Sequence, residues 1–326
     1  MASLQLELQS YVGRFRTWAF TFRGSITLFS LLGLLLIPVT GNQYLTQIII
    51  TGMILSIFAA SWDLLAGFAG QISFGHAAFF GISGYFTAAF VKFAGANWIM
   101  ATFIGAGYAV IFSLLIGIPC LRLKGPYLAL GTLAFSLILF NLFLSGTWLG
   151  GTEGISGLPS AGNIFVVFYI IAAFMVGSLV IMRVIVDSRL GTILKSIRDD
   201  EICADASGIN TTTYKLIAFM ISGFFAGIAG ALFVINTTAV NPAIFSTLYS
   251  FYAIIMAAIG GLATIFGSII GAFLFTLLSE FLRPLAAASL LIFATVLILI
   301  VRFAEGGIMN PFLERLRDLW DMIRGK

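Results

Sequence analysis

Charge is what this sequence has least of. Lys, Arg, Asp and Glu make up 9% of its 326 residues, while 60% are hydrophobic. A soluble domain carries roughly a quarter charged residues. So few charges cannot cover a water-facing surface, which excludes an ordinary soluble globule and puts most of the surface against lipid or an apolar partner. Histidine is nearly absent too: His76 stands alone, and no cluster of His, Cys, Asp and Glu has metal-ligand spacing. No Gly-x-x-x-x-Gly-Lys-Ser/Thr phosphate loop occurs, so any ATP used must be bound by another polypeptide. One histidine in a glycine-rich helix start supplies no base for a nucleophile, which argues against an intramembrane enzyme. The two cysteines, Cys120 and Cys203, lie beside basic segments and read as free thiols of a reducing compartment.

The charges that are present gather in islands. Ten lie between Arg183 and Lys215, nine between Arg302 and Lys326, and four in the first 23 residues. Between Gly24 and Met182 only Asp63, Lys92, Arg122, Lys124 and Glu153 are charged, and between Leu216 and Val301 only Glu280 and Arg283. That is the layout of loops and spans, so the net charge of +4 says nothing of nucleic acid.

With about 20 apolar residues per crossing, the chain is expected to be an all-α, polytopic transmembrane bundle of about ten segments. They fall near 25–40, 45–66, 74–93, 98–118, 127–145, 163–183, 214–235, 248–262, 265–282 and 286–301. The glycine-rich stretches near 70–85 and 250–265 are either spans or broken, re-entrant helices. Arg14, Arg16 and Arg23 precede an apolar run that no small-residue cleavage pattern follows, which predicts an uncleaved first helix with its start in the cytoplasm. Counting forward puts Arg122, Lys124, the island and the basic tail on the cytoplasmic side, with the segment 146–163 outside. Lys92 and Arg283 are the exceptions.

Thirty-five glycines punctuate the spans, Gly223, Gly227 and Gly230 among them. Such residues let helix backbones approach closely in lipid. A weak echo relates Gly70–Gly75 to Gly261–Gly267, and an inverted repeat is one way to read it.

Polar groups inside hydrocarbon are costly and mark places to look for function. Asp63 is expected either to reach the interface or cap a turn, or else to anchor the following Gly70-Gln71-Ile72-Ser73-Phe74-Gly75-His76 turn or belong to a translocation gate. Gln71, Ser73 and His76 join it as path candidates. Glu280 and Arg283 read as an i, i+3 pair. In the island, Ile193, Ile197, Ala204 and Gly208 are spaced 4, 7 and 4 apart and form one helical stripe, with Lys195, Arg198, Asp199, Asp200 and Asp205 on other faces. Mixed charge favours docking to a protein over adhesion to anionic lipid. The loop Gly150–Ser160, with Gly151, Glu153 and Gly154, is expected either to connect or to meet an external protein.

The run Trp62-Asp63-Leu64-Leu65-Ala66-Gly67-Phe68-Ala69-Gly70-Gln71-Ile72-Ser73-Phe74-Gly75-His76-Ala77-Ala78-Phe79-Phe80-Gly81 resembles the signature of membrane subunits of branched-chain amino acid ABC importers, the longer of two permease types. Arg122-Leu123-Lys124-Gly125-Pro126-Tyr127, then Gly150-Gly151-Thr152-Glu153-Gly154-Ile155, then Ser196–Ala204 with Gly208 extend it from about Tyr44 to about Gly307. The last of these is similar to the family's Glu-Ala-Ala…Gly coupling loop, although Ile202 and Cys203 interrupt the pattern. The resemblance implies a transport subunit rather than an enzyme: a cytoplasmic segment 1–24, a permease domain 25–302 containing a coupling loop 184–213, and a cytoplasmic tail 303–326. It implies a multi-pass protein of the inner (plasma) membrane with both termini cytoplasmic. It further implies a second, related permease, two ATPase subunits that bind ATP and Mg, and an extracytoplasmic solute-binding protein. Arg198, Asp199, Glu201, Ala204 and Gly208 would couple to the ATPase, and this chain would hold no cofactor. Urea or short amides are the alternative solutes within the family. An ion-coupled carrier is the rival class, with Asp63 and Glu280 as its only intramembrane carboxylates.

Overall fold

The computed structural model describes residues 41–123 and 125–283, together with Pro38, Ile292 and Thr295. Apart from those isolated positions, the expected spans 25–40 and 286–301 and both terminal segments lie outside the described residues.

Among the described residues ten α-helices follow one another: α1 Gln43–Asp63, α2 His76–Phe93, α3 Trp98–Cys120, α4 Pro126–Ser145, α5 Ile164–Asp187, α6 Arg189–Asp199, α7 Glu201–Ala206, α8 Thr211–Thr237, α9 Thr247–Gly260 and α10 Ile265–Phe281. Asparagine starts four of them. Asn42, Asn97, Asn163 and Asn210 each accept backbone N–H groups of their own first turn, which satisfies donors that a helix start leaves open. Short 3-10 turns lie at Thr147–Leu149 and Pro242–Phe245, and a two-residue antiparallel pairing joins Ile155–Ser156 (β1) to Ala239–Val240 (β2).

The expected all-helical membrane bundle is present; two of the ten expected segments lie outside the described residues, and the described ones do not by themselves confirm that count. Five helices are long and apolar enough to cross alone: Gln43–Phe68 (α1 with its extension), α3, α4, α5 and α8. The α9–α10 pair qualifies only jointly and is bent by 115° at its break. The reason lies in the sequence: Gly260 and Gly261 end α9, Gly261 takes φ 104° and Ala263 φ 59°, and Thr264 starts a new helix. α2, with His76, Tyr85 and Lys92, does not qualify by composition.

Contacts at the two ends of α1 order the bundle. At its start, Tyr44 meets Glu280 at the end of α10, and Gln47 Nε2 donates to Asn236 Oδ1 near the end of α8 at 3.1 Å. At its other end, Asp63 meets Ala263 in the α9–α10 break. α10 therefore runs back along α1 for its whole length, and α9–α10 form a V whose tip lies beside Asp63. α6 and α7 are at this same end, because Arg198 donates to Gly67 O at 2.9 Å. Both echo segments, Gly70–Gly75 and Gly261–Gly267, lie there as well. A repeat inverted across the membrane plane would place them at opposite ends, so the echo does not carry one.

Small residues set the spacing. A Cβ at Gly223 or Gly227 would crowd Ser113 or Ala109 of α3, and one at Gly230 would overlap the Phe80 backbone of α2. α8 thus lies close against α2 and α3, and this packing is what glycine supplies in lipid. Around it, Phe58, Phe79, Phe80, Tyr85, Phe219 and Phe245 are completely or almost completely buried. Tyr85, Phe143 and Phe245 stack or tilt within 5.6 Å of one another.

Candidate functional site

Two backbone stretches leave helical geometry inside the bundle, and polar side chains take up their hydrogen bonds. After Asp63 the helix widens into a π-helical turn, Leu64–Phe68, then Gly70 at φ 70° reverses the chain. The segment up to Gly75 runs back between helices. There Trp62 Nε1 donates to Ser73 O at 2.8 Å, Phe74 N to Thr132 Oγ1 at 3.1 Å and Gly75 N to Ser73 Oγ at 3.3 Å. The second stretch comes down from β2. Ser136 Oγ donates to Phe245 O at 2.8 Å, and the starts of α2 and α9 meet where Ala77 N donates to Ser250 Oγ at 2.9 Å. In hydrocarbon, irregular backbone survives only where protein satisfies it in this way.

The path candidates Asp63, Gln71, Ser73 and His76 come together in this region, all buried. Asp63 is fully buried and does not reach the interface. Its Oδ1 accepts the Ala263 N–H at 2.7 Å, so it anchors the tip of the V and not the turn that follows it in sequence. Its Oδ2 has no partner among the described residues. Gly67 must be glycine here, since a Cβ would overlap both Asp63 Oδ1 and the Ala263 backbone. His76 Nε2 lies 2.9 Å from Ser61 Oγ. Ser61 spends its single proton on Phe58 O at 2.7 Å, so His76 donates from Nε2 and carries its free lone pair on Nδ1, which no described residue meets. Gln71 Nε2 donates to Ala69 O at 3.1 Å.

The island is two helices, not the single stripe expected. Asp200 (φ −156°) breaks it and caps α7, its Oδ1 accepting from Ile202 N at 2.9 Å and Cys203 N at 3.0 Å. Those backbone donors and the Cys203 thiol hold the Asp200 carboxyl below its ordinary range, and the hydrogen bond from the thiol to that carboxylate pushes the Cys203 pKa up. Gly191, Leu194 and Ile197 face the bundle, as does Ala204, whereas Ile193 is half-buried and Gly208 exposed. Arg198 binds its own bundle at Gly67 O and its neighbour Asp199, at 2.7 Å through Nη2. Lys195 Nζ stands 5.7 Å above the Phe68 ring. Glu201 has an internal partner, the nearly buried Lys215 of α8, at 2.5 Å. No described residue lies within 4 Å of a Cβ at Gly208; its φ of 84° is what requires glycine. The outward face of α7 presents Ile202, 81% exposed, with Asp205 and Cys203 beside it.

At the opposite end, Gly154 presses against the Val240 backbone, and Lys92 Nζ donates to Ser156 O at 2.7 Å. The loop holding Gly151 and the exposed Glu153 is therefore pinned at its base.

Sequence reasoning missed a cleft between α1 and α10. It encloses about 250 Å³ and includes Tyr44, Gln47, Thr51, Thr276 and Glu280. No single polar residue there stands out in sequence; the only signal was the isolation of Glu280 and Arg283. A second, wholly apolar groove among Val110, Ile181, Met220 and Phe224 suits lipid. Neither cavity is lined by Asp63, Gln71, Ser73 or His76. Among the described residues no group of three or more His, Cys, Asp or Glu could hold a metal, and Cys120 and Cys203 are free thiols.

Long apolar helices, with internal breaks held by buried polar groups and one polar helix pair at a single end, mark a multi-helix membrane protein. The chain belongs to the family described as branched-chain amino acid transport system / permease component, which matches residues 44–301. It is 28% identical over 296 residues to the high-affinity branched-chain amino acid transport system permease protein LivM of Escherichia coli K12, covering 81% of this chain and 70% of that one. The LivM of Salmonella typhimurium LT2 is 27% identical over the same shares. Among solved structures, PsaBC from Streptococcus pneumoniae in complex with Fab is 15% identical, with a TM-score of 0.46 over 86% of this chain and 98% of that one. The family is the permease component of a transport system, which implies partner subunits.

Proposed function

We propose that this chain is the membrane subunit of an ATP-driven importer for branched-chain or other small amino acids. The supporting observation is the α6–α7 pair, which leaves the bundle at one end and shows an 81% exposed Ile202 among charged residues. A lone apolar side chain on a polar helix is what a partner's groove takes up. The chain has no phosphate loop, so the partner at this surface binds ATP and Mg. Arg122 and most island cations belong to this end, and by the positive-inside rule it is cytoplasmic. This orients the protein in an inner membrane with the loop 146–163 outside, available to a solute-binding protein through Glu153. The remaining partner is a second, related permease.

In this reading the island residues have two jobs. Arg198, Glu201 and Ala204 tie the pair to Gly67, Lys215 and the bundle, while Ile202, Asp199, Asp205 and the Gly208 turn face the ATPase. Asp63, Gln71, Ser73 and His76 form the frame of the gate and not its lining. A movement of α6 would pass from Arg198 to Gly67, and from Gly67 to Asp63 and the V.

Affinity purification of the tagged chain from its own cells tests this. An ATPase should come down in stoichiometric amount, and Ile202→Asp should release it while the permease still inserts. Absence of any ATPase from the intact chain's complex overturns the proposal.

A further inference from the structure

The cleft between α1 and α10 is graded in polarity from its mouth to its floor. Tyr44 on the first turn of α1, Glu280 on the last turn of α10 and Arg283 just beyond it stand at the mouth. Glu280 Oε1 takes both bonds there, from Tyr44 Oη at 2.5 Å and Arg283 Nη1 at 3.0 Å. Ser279 lies beside Glu280; Gln47 and Thr276 come about one turn further in and Thr51 about two. Thr51 and Thr276 donate their single protons to the carbonyls of Gln47 and Ala272, so these two hydroxyls have only acceptor capacity left, while Gln47 donates one N–H to Asn236 and keeps a second donor and its carbonyl. Deepest are Leu55 and Phe275, both buried.

We infer that this cleft is a binding subsite for a zwitterion of amino-acid size with an aliphatic side chain. The side chain rests on Leu55 and Phe275. The ammonium meets Glu280 and the hydroxyl and amide oxygens of the belt. The carboxylate meets Arg283, of whose five N–H donors one reaches Glu280. Mouth charges of both signs select a zwitterion over an anion or a cation. The apolar floor disfavours a sugar or urea, whose polar groups would lose water there without gaining a partner. A volume of about 250 Å³ is below that of drug-sized sites and suits a single amino acid. The inference rests on the amino-acid transport reading and adds the place where the solute is held.

The test is cysteine protection in membrane vesicles containing the assembled transporter and no soluble binding protein. Ser279→Cys is introduced in a Cys120→Ser, Cys203→Ser background and treated with a small methanethiosulfonate. Thr152→Cys, exposed on the outer loop, is the control. Millimolar leucine or valine should slow modification at Ser279→Cys about threefold, the mark of roughly two-thirds occupancy. Neither urea nor glucose should do so, the control should not change, and Arg283→Gln should abolish the protection. Equal rates with and without amino acids overturn the inference. So does protection that follows zwitterionic phospholipid in vesicles of defined composition, since the occupant is then a headgroup. Uptake is scored separately: cells deleted for the chain that keep full leucine, isoleucine and valine uptake overturn the transport reading whatever the labelling shows.

Discussion

The carboxylate of Asp63, at the end of α1, accepts the backbone N–H of Ala263 at 2.7 Å across 200 residues of sequence. The bond joins the widened turn Leu64–Phe68 to the tip of the α9–α10 V, and Gly67 between them also accepts Arg198 from α6. A buried carboxylate acting as a cap replaces the intrahelical bond that the break removes. Ala263 keeps a left-handed φ of 59°, uncommon for a residue with a side chain, because Asp63 and the Thr264 hydroxyl bonded to Gly261 O hold the break on both sides.

Replacing Asp63 by Ala leaves the Ala263 N–H buried and unpaired, at a cost of about 1–3 kcal/mol. Asp63→Asn retains an acceptor and should recover at least half of that loss. Thermal unfolding in detergent, followed by fluorescence-detected gel filtration, gives the comparison. If Ala and Asn variants melt together with the parent, the bond does not hold the V.

Gly67→Ala should be far more damaging than Gly107→Ala. The first places a Cβ on Asp63 and the Ala263 backbone, while the second meets nothing within 4 Å. Overpacking against backbone costs about 1–3 kcal/mol or more. Folded yield after solubilisation should fall severalfold for Gly67→Ala and stay at the parental level for Gly107→Ala.

The Glu201–Lys215 pair sets the posture of α7. Lys215 is nearly buried, so Glu201→Arg faces it with a like charge and should detach the short helix without disturbing insertion. Because Glu201 is itself half exposed, Glu201→Gln should cost only ~0.2–1 kcal/mol. Hydrogen exchange over 201–208 should quicken strongly in Glu201→Arg and slightly in Glu201→Gln. Uptake should drop with the same ranking. An unchanged exchange rate in Glu201→Arg would show that α7 is held by Ala204 alone.

Cys203 reports both sidedness and its own environment. It is exposed at the island end, whereas Cys120 is buried, so an impermeant maleimide should label the native chain in inverted vesicles and not in intact cells. Thr152→Cys should show the reverse. Because Asp200 raises the Cys203 pKa, the reactive thiolate is scarcer near neutral pH than for an ordinary cysteine and grows as pH rises through the shifted value. Asp200→Asn should therefore speed labelling at pH 7.5 by severalfold, about tenfold for each unit the pKa falls, with the two rates converging at high pH. Slower labelling of Asp200→Asn would contradict the assigned hydrogen bond.

Much of this protein follows from its sequence alone. Charge scarcity dictates the membrane, because lipid is the one solvent such a surface tolerates. Apolar runs dictate roughly where α1, α3 and α5 lie, while their asparagine caps emerged only in the structure, and glycine at Gly223, Gly227 and Gly230 dictates a close neighbour for α8. The run Trp62–Gly81 was enough to indicate the family. Tertiary structure decided the rest, because the deciding contacts are between residues far apart in the chain. Sequence periodicity carried one stripe through Ile193 and Gly208, but Asp200 prefers to cap a new helix, and a capped break is local chemistry that a stripe count does not register. Composition marked 248–262 and 265–282 as segments, with a broken or re-entrant helix near 250–265 as the alternative; glycines allow the 115° bend, and Asp63 reaching Ala263 holds it. Whether Asp63 met water, its next turn or a distant backbone was open in the sequence, since burial is set by what packs around a residue. The cleft of Tyr44, Thr51, Thr276 and Glu280 exists because α10 returns antiparallel along α1, which brings residues 236 apart within 2.5 Å.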